Sequence, residues 1–235
     1  IRTQQNEYEE IIPLTTIQKI TAKRTIQSHI EIPPVTIAIS IDVTSLDLLR
    51  KQLNEEQDSR KISINDLIVK STALALRKHP RLNSVFKDDH LLINRDVHIN
   101  IAVDTKHGLM IPVVRNADQL TLSELSFQTT NLIAKAKNKE LTVNETDGGT
   151  FTVTNVGMLG INYFTPIINQ PQTAILGVCT IEDRLIMFNG TVESRKKMNV
   201  CLTFDHRAID GAAASRFLLT VKEFIEKPYQ LIWRS

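Results

Sequence analysis

Between Lys197 and Ile225 the spacing of the apolar residues changes once, from every second position to every third or fourth, so a strand must run almost directly into a helix. Val200, Leu202 and Phe204 alternate with Cys201, Thr203 and Asp205, which is the period of a strand buried on one face. Beyond Asp210 the residues Phe217, Leu218, Val221, Phe224 and Ile225 fall on one side of a helix. Asp210, followed by Gly211, stands where an N-cap belongs. His206 keeps the parity of Phe204 and is expected on the buried face, pointing into protein. Asp205, His206, Arg207 and Asp210 therefore crowd into an apolar neighbourhood, where unpaired charge is expensive. A histidine with an aspartate four positions on suits acid–base chemistry. The same residues are also compatible with a half-buried strand-end histidine and an ordinary helix cap.

The rest of the chain mixes helices and strands without strict alternation. A first helix is predicted from about Thr15 to Ser28, with Ile17, Ile20 and Arg24 on one side, stopping before Pro33-Pro34. Val35 to Val43 reads as a strand, and Ser45 opens a helix through Leu46, Leu49 and Leu53. SIND at Ser63 resembles a capping box with Asp in place of Glu, and its helix runs to Pro80; TLSE at Thr121 is a capping box proper. Strands are predicted at Leu91–Arg95, Val97–Asp104, Leu109–Val114, Thr150–Asn155, Thr173–Ile181, Arg184–Phe188 and Lys197–Phe204. This order predicts an α/β protein of two layers, α+β in style, with helices packed on a mixed sheet. Residues 1–10 are polar and without period, a linker tail, and 11–235 form one folded domain.

Several function classes lose support. Twenty-eight Lys and Arg face 26 Asp and Glu, so no strong field points to nucleic acid or an anionic membrane. The longest apolar runs, such as Thr173–Ile181, are far short of the roughly 20 residues that a spanning helix needs. The six histidines and two cysteines show no metal-ligand spacing. Cys179 and Cys201 read as reduced, buried thiols, and odd spacing puts Cys201 on the strand face opposite His206, which rules out a Cys–His nucleophile. Gly157 and Gly160 form only a G-x-x-G, the pattern of a turn after a strand, not a dinucleotide or phosphate loop. Thr152 and Thr154 share one face of FTVTN. Lys70, Lys87 and Lys106 read as solvated surface.

Four motifs carry a resemblance: DHRAIDG at 205–211, GTFTVTNVGMLG at 149–160, INQPQTAILGV at 168–178 and GLMIPVVRNAD at 108–118. Together they closely resemble the catalytic, inner core domain of the dihydrolipoamide acyltransferases, the core components of 2-oxo acid dehydrogenase complexes. LTTIQKITAKR at 14–24 resembles that domain's opening helix, so the likeness covers about 11–235. It implies a chloramphenicol-acetyltransferase-like fold and acyl transfer between dihydrolipoamide and coenzyme A. It implies His206 as general base, Asp210 as a structural carboxylate and Thr154 as the hydroxyl that stabilises the tetrahedral intermediate. Relatives commonly have serine at the Thr154 position; threonine keeps the donor and adds a methyl. Arg24 is a candidate ion partner for Asp210, or else an exposed helix arginine. Coenzyme A is implied as substrate, the lipoyl group as cargo of a separate domain, and no metal is called for. The implied partners are two further copies in a homotrimer, assembled into a cubic or dodecahedral core, a lipoyl domain, and the decarboxylase and dihydrolipoamide dehydrogenase components. The implied compartment is the cytoplasm, or the mitochondrial matrix in a eukaryote. With no lipoyl domain or peripheral-subunit-binding segment before it, the chain reads as an excised core. Two other readings share the motifs: a non-catalytic assembly scaffold and a small-molecule acyltransferase of the same fold.

Overall fold

The computed structural model describes residues 11–55 and 61–233; the expected linker tail at 1–10 lies outside the described residues. Helix α1 (Thr16–Glu31) opens where Thr15 and Gln18 close a capping box, and ends at Ile32 ahead of Pro33-Pro34. Strand β1 (Pro34–Asp42) is followed by α2 (Thr44–Glu55) and α3 (Ile64–Lys78), the latter capped reciprocally by Ser63 and Asp66 as the SIND motif predicts. Then come the hairpin β2 (Ser84–Lys87) and β3 (His90–Ile93), the short strands β4 (Ile99–Ile101), β5 (Val103–Thr105), β6 (Gly108–Met110) and β7 (Val113–Val114), and α4 (Leu122–Asn138). Helix α5 (Val143–Thr146), β8 (Phe151–Asn155), β9 (Ala174–Phe188), β10 (Thr191–Asp205), α6 (Gly211–Glu226) and α7 (Gln230–Trp233) complete the order.

Six strands form one sheet in the order β1-β10-β9-β8-β4-β7. β8 runs parallel to β9 and to β4, while the other pairs are antiparallel, so the sheet is mixed as expected. One face carries the main core: Phe151, Leu176, Leu202 and Phe204 from the sheet meet Leu67 and Leu76 of α3, Leu125 of α4, and Phe217 and Phe224 of α6. The opposite face is covered thinly. There Ile32, Ile168 and Ile175 form a second small cluster, and Ser28 of α1 donates a hydrogen bond to the Ile168 carbonyl at 2.7 Å. Phe164 packs against Gly177, where an added Cβ would come within 2.6 Å of its ring.

Several strand expectations change, among them the predicted run Val97–Asp104, which divides at Ala102 into β4 in the main sheet and β5 in a separate pair with β6. The predicted strand Leu109–Val114 divides at Pro112, which has no N–H to offer a ladder: β6 turns back on β5 and β7 pairs with β4. In contrast, the predicted runs 173–181 and 184–188 fuse into the single 15-residue strand β9. Glu182 and Asp183 do not interrupt it because Lys197 and Lys196 stand opposite them on β10, on a hairpin arm that reaches beyond β8. Asn189 and Gly190, with φ of 48° and 84°, close this arm with the double left-handed turn that matches strand twist.

Candidate active site

β10 ends at Asp205, one residue before the histidine, and the chain turns there. Asp205 rather than His206 takes the buried position: its side chain is 2% exposed and His206 is exposed, which corrects the expectation that the imidazole points into protein. The reason is local. The Asp205 N–H donates to the Thr173 carbonyl at 2.8 Å, the last rung toward β9, and the Asp205 carbonyl accepts the N–H groups of Ala208 and Ile209 at 3.0 Å each. Its carboxylate accepts the Arg207 backbone N–H at 3.0 Å, Nε at 3.0 Å and Nη2 at 2.7 Å. The turn therefore closes around Asp205 and swings His206 outward. The His206 N–H donates to Pro33 O at 3.2 Å and its ring centroid is 5.8 Å from that of Phe204, but its imidazole has no hydrogen bond among the described residues.

Asp210 caps α6 as the sequence predicts. Its carboxylate accepts the Ala213 N–H at 2.7 Å. That hydrogen bond, helped by the charges of Arg216 and Arg81, holds the carboxyl below its ordinary pKa. Arg24 lies exposed on α1 and makes no ion pair among the described residues, so the candidate Arg24–Asp210 pair is not formed within one chain.

Thr154 is half-buried near the end of β8, on the thinly covered face, and its hydroxyl makes no hydrogen bond among the described residues. The strand beneath it is well anchored. Thr152 Oγ1 donates to Gln172 Oε1 at 2.6 Å, and Gln172 Nε2 donates to Asn100 Oδ1 at 2.7 Å and to the Gly149 carbonyl at 2.9 Å. Gly149 has to be glycine, because a Cβ there would fall 1.7 Å from Asn100 Oδ1. The G-x-x-G that follows is a single 3-10 turn, Gly157–Leu159, ending on Gly160 in the left-handed region. Sequence reasoning missed the Gln172–Asn100 network, since a lone Gln and Asn far apart in the chain carry no periodic signal.

The register places the two candidate groups at opposite ends of the sheet. Thr154 is level with Gly177, which is level with Cys201, five residues before His206. At ~3.3 Å per residue and ~4.8 Å between strands, the separation is roughly 19 Å within one chain. His206 and Thr154 therefore cannot act on one carbonyl within a single subunit.

The other candidate groups do not form a second site. Cys179 and Cys201 are free, buried on neighbouring strands with sulfurs 3.8 Å apart. Burial, with Cys201 alongside, raises the Cys179 thiol pKa, so it is a poor nucleophile. Lys70, expected at the surface, is completely buried: its Nζ donates to the carbonyls of Asp118 and Leu120 and fixes the segment leading into α4. Burial lowers its pKa, against the pull of Asp118 and Glu124. Among the described residues, no helix is long and apolar enough to cross a membrane.

Comparison with known proteins gives a consistent result. Residues 6–233 match the family model described as 2-oxoacid dehydrogenases acyltransferase (catalytic domain). The chain is 40% identical over 233 residues to the dihydrolipoyllysine-residue acetyltransferase component of the mitochondrial pyruvate dehydrogenase complex of Dictyostelium discoideum, covering 98% of this chain and 36% of that protein. Across eight of the curated relatives it matches, it spans between 36% and 56% of their length. Among solved structures it resembles Azotobacter vinelandii dihydrolipoamide acetyltransferase, with a TM-score of 0.92 and 31% identity over 98% of this chain and 97% of the other. That structure addresses a serine, a histidine and an asparagine in the catalytic mechanism, the histidine 52 positions after the serine and the asparagine four after the histidine. The cubic core of a pyruvate dehydrogenase multienzyme complex aligns with a TM-score of 0.91 and 32% identity, covering 97% of this chain and 96% of that one. Chloramphenicol acetyltransferase, at 15% identity and a TM-score of 0.56 over 86% of this chain and 94% of that one, shares the fold.

Proposed function

Since the chain belongs to the 2-oxoacid dehydrogenase acyltransferase family, as its catalytic domain, we propose that it moves an acyl group between a dihydrolipoyl thiol and coenzyme A. One observation carries the assignment of residues. His206 follows Thr154 by 52 positions and Asp210 follows His206 by four, the same intervals that separate the serine, histidine and asparagine of the Azotobacter enzyme. Thr154 and Asp210 then stand where that enzyme has serine and asparagine. Both substitutions keep the required chemistry: threonine still donates a hydroxyl, and an aspartate at an N-cap still accepts a backbone N–H.

The reaction follows from these groups. A thiol with a pKa of about 8.5, by analogy with cysteine, is only a few per cent thiolate at neutral pH. His206 takes the thiol proton as sulfur attacks the thioester carbonyl, a gain on the order of 10²–10⁴-fold. The carbonyl π pair moves to oxygen, and the Thr154 hydroxyl donates to that oxyanion. When the intermediate collapses, the carbon–sulfur bond to the first carrier breaks and the imidazolium returns its proton to the departing thiolate. No acyl-enzyme forms. Asp210 stays out of the proton path and holds the start of α6. The curated relatives cited are acetyltransferases, so acetyl is the donor to test first.

The two halves of the site are supplied by neighbouring copies in a homotrimer, His206 from one and Thr154 from the next. Supporting this are the roughly 19 Å that separate them in one chain and the apolar residues left uncovered nearby. Ile26 and Ile30 of α1 and Met158 and Leu159 after β8 are 61%, 77%, 99% and 77% exposed. We further propose that trimers build a cubic or dodecahedral core, served by a lipoyl domain and by decarboxylase and dihydrolipoamide dehydrogenase partners. The compartment proposed is the cytoplasm or, in a eukaryote, the mitochondrial matrix.

His206→Ala is expected to lower acyl transfer from acetyl coenzyme A to free dihydrolipoamide by orders of magnitude while the oligomer stays intact by sedimentation. Near wild-type turnover would remove His206 from the mechanism. Wild-type protein that assembles correctly yet transfers nothing would favour a scaffold.

A further inference from the structure

We propose that the Asp205–Arg207 ion pair is the positioning device for His206, an inference that rests on the reading of His206 as general base. The histidine is held by its neighbours and not by its own side chain. On one side, Asp205 is 2% exposed and is tied to β9 through Thr173 and to the first turn toward α6 through Ala208 and Ile209. On the other side, Arg207 gives its backbone N–H and two guanidinium nitrogens to the same carboxylate.

This closes a small ring, Asp205 to Arg207, with His206 as the residue spanned. The peptide groups on both sides of the histidine are thereby fixed, while both imidazole nitrogens remain uncommitted among the described residues. A general base needs that combination of a fixed origin and a free ring. The clamp is braced in turn. The Arg207 guanidinium lies 4.7 Å from the centroid of the Phe86 ring on β2, Arg81 Nη2 donates to the Ala208 carbonyl at 3.1 Å, and the Ser84 and Thr173 hydroxyls are 3.1 Å apart behind the turn.

Arginine suits this role better than lysine. Its planar fork meets the carboxylate through two nitrogens at once, which sets direction as well as distance. Asp205 and Arg207 do not reach the substrate in this scheme, so their loss should slow the chemical step without weakening substrate binding. A merely structural ion pair would instead change stability and leave turnover in the folded protein intact.

The test compares Asp205→Asn, Arg207→Lys and Arg207→Met in the assembled protein, with Arg184→Ala, which breaks the exposed Arg184–Glu182 pair on the hairpin arm, as the control for losing an ion pair. Acetyl transfer to dihydrolipoamide is measured at saturating and limiting substrate. Asp205→Asn is expected to lower kcat on the order of 10²-fold, as a displacement of about 1 Å at a reacting group does, with both KM values within about twofold. Arg207→Lys should fall between wild type and Arg207→Met, and the control should match wild type. A kcat within about threefold of wild type in folded Asp205→Asn, or a loss confined to KM, overturns the proposal. If Asp205→Asn does not assemble, the two Arg207 variants decide by the same criteria. A crystal structure of Asp205→Asn, or of Arg207→Met where Asp205→Asn does not assemble, separates this inference from the functional reading. Should wild-type protein transfer nothing, the reaction assignment fails, yet a displaced His206 backbone would still sustain the clamp and an unmoved one would sink it.

Discussion

The Thr154 hydroxyl stands near the end of a strand whose other polar side chains, Thr152 and Asn155, already have partners, and this makes the effect of changing it specific. Thr152, two residues earlier, spends its hydroxyl on Gln172, whereas that of Thr154 has no hydrogen bond among the described residues. Thr154→Val preserves shape and burial but removes the donor, and is expected to lower kcat by roughly 10²–10³-fold, the usual cost of one oxyanion donor. Thr154→Ser, which keeps the donor, should stay within a few-fold of wild type; equal losses in both variants would mean that the methyl, not the hydroxyl, matters. At this scale the sequence was legible wherever a residue acts through its immediate neighbours. Asp210 reads as a cap because cap and helix are contiguous. His206 was misplaced because parity carries a strand forward with no sign of where it stops. An aspartate and an arginine two positions apart were that sign, since together they can close a turn. Lys70 was misread for a different reason: the carbonyls of Asp118 and Leu120 that receive its amine lie in a distant segment.

Between elements, the junction of β1, α2 and β10 depends on one carboxylate. Asp42 accepts the Thr44 N–H at 3.0 Å, Arg195 Nε at 3.0 Å and pairs with Lys197 Nζ at 3.3 Å. Burial opposes its ionisation, but the hydrogen bonds from Thr44 and Arg195 and the charge of Lys197 outweigh burial and bring its pKa from 3.8 to about 2. A carboxyl depressed in the fold stabilises it fully above the unfolded value and loses that contribution as pH falls through the folded one. Wild-type protein should therefore lose stability between about pH 4 and pH 2 in part through this group. Asp42→Asn, already less stable at neutral pH, should lose less over the same window. Urea midpoints across that range measure it, and parallel slopes would contradict the role. Elements built from periodic stretches were legible, as α3, α4, β1 and α6 show. The hairpin arm of β9 and β10 was not, because a two-stranded ribbon open on both faces tolerates the charges that elsewhere end a strand.

For the whole molecule, the proposed division of labour makes a prediction that no single-site variant can mimic. Neither Thr154→Val nor His206→Ala subunits form a complete site among themselves. In mixed trimers, however, a His206-bearing chain can meet a Thr154-bearing neighbour, and random pairing around a closed ring restores about a quarter of the sites. Co-refolding the two variants should recover activity toward that fraction. If nothing returns from mixed trimers, the two groups do not serve one site across an interface. Motif spacing supplied the two candidates, but only sheet register shows that they stand far apart in one chain. That separation also has a meaning in time. On the proposed assignment, a newly made subunit would hold a base that faces no donor and a donor that faces no base, and would not spend thioesters on water before assembly. The first turnover in a cell would then report that neighbouring copies have met, and catalysis would serve as its own inspection of the finished particle.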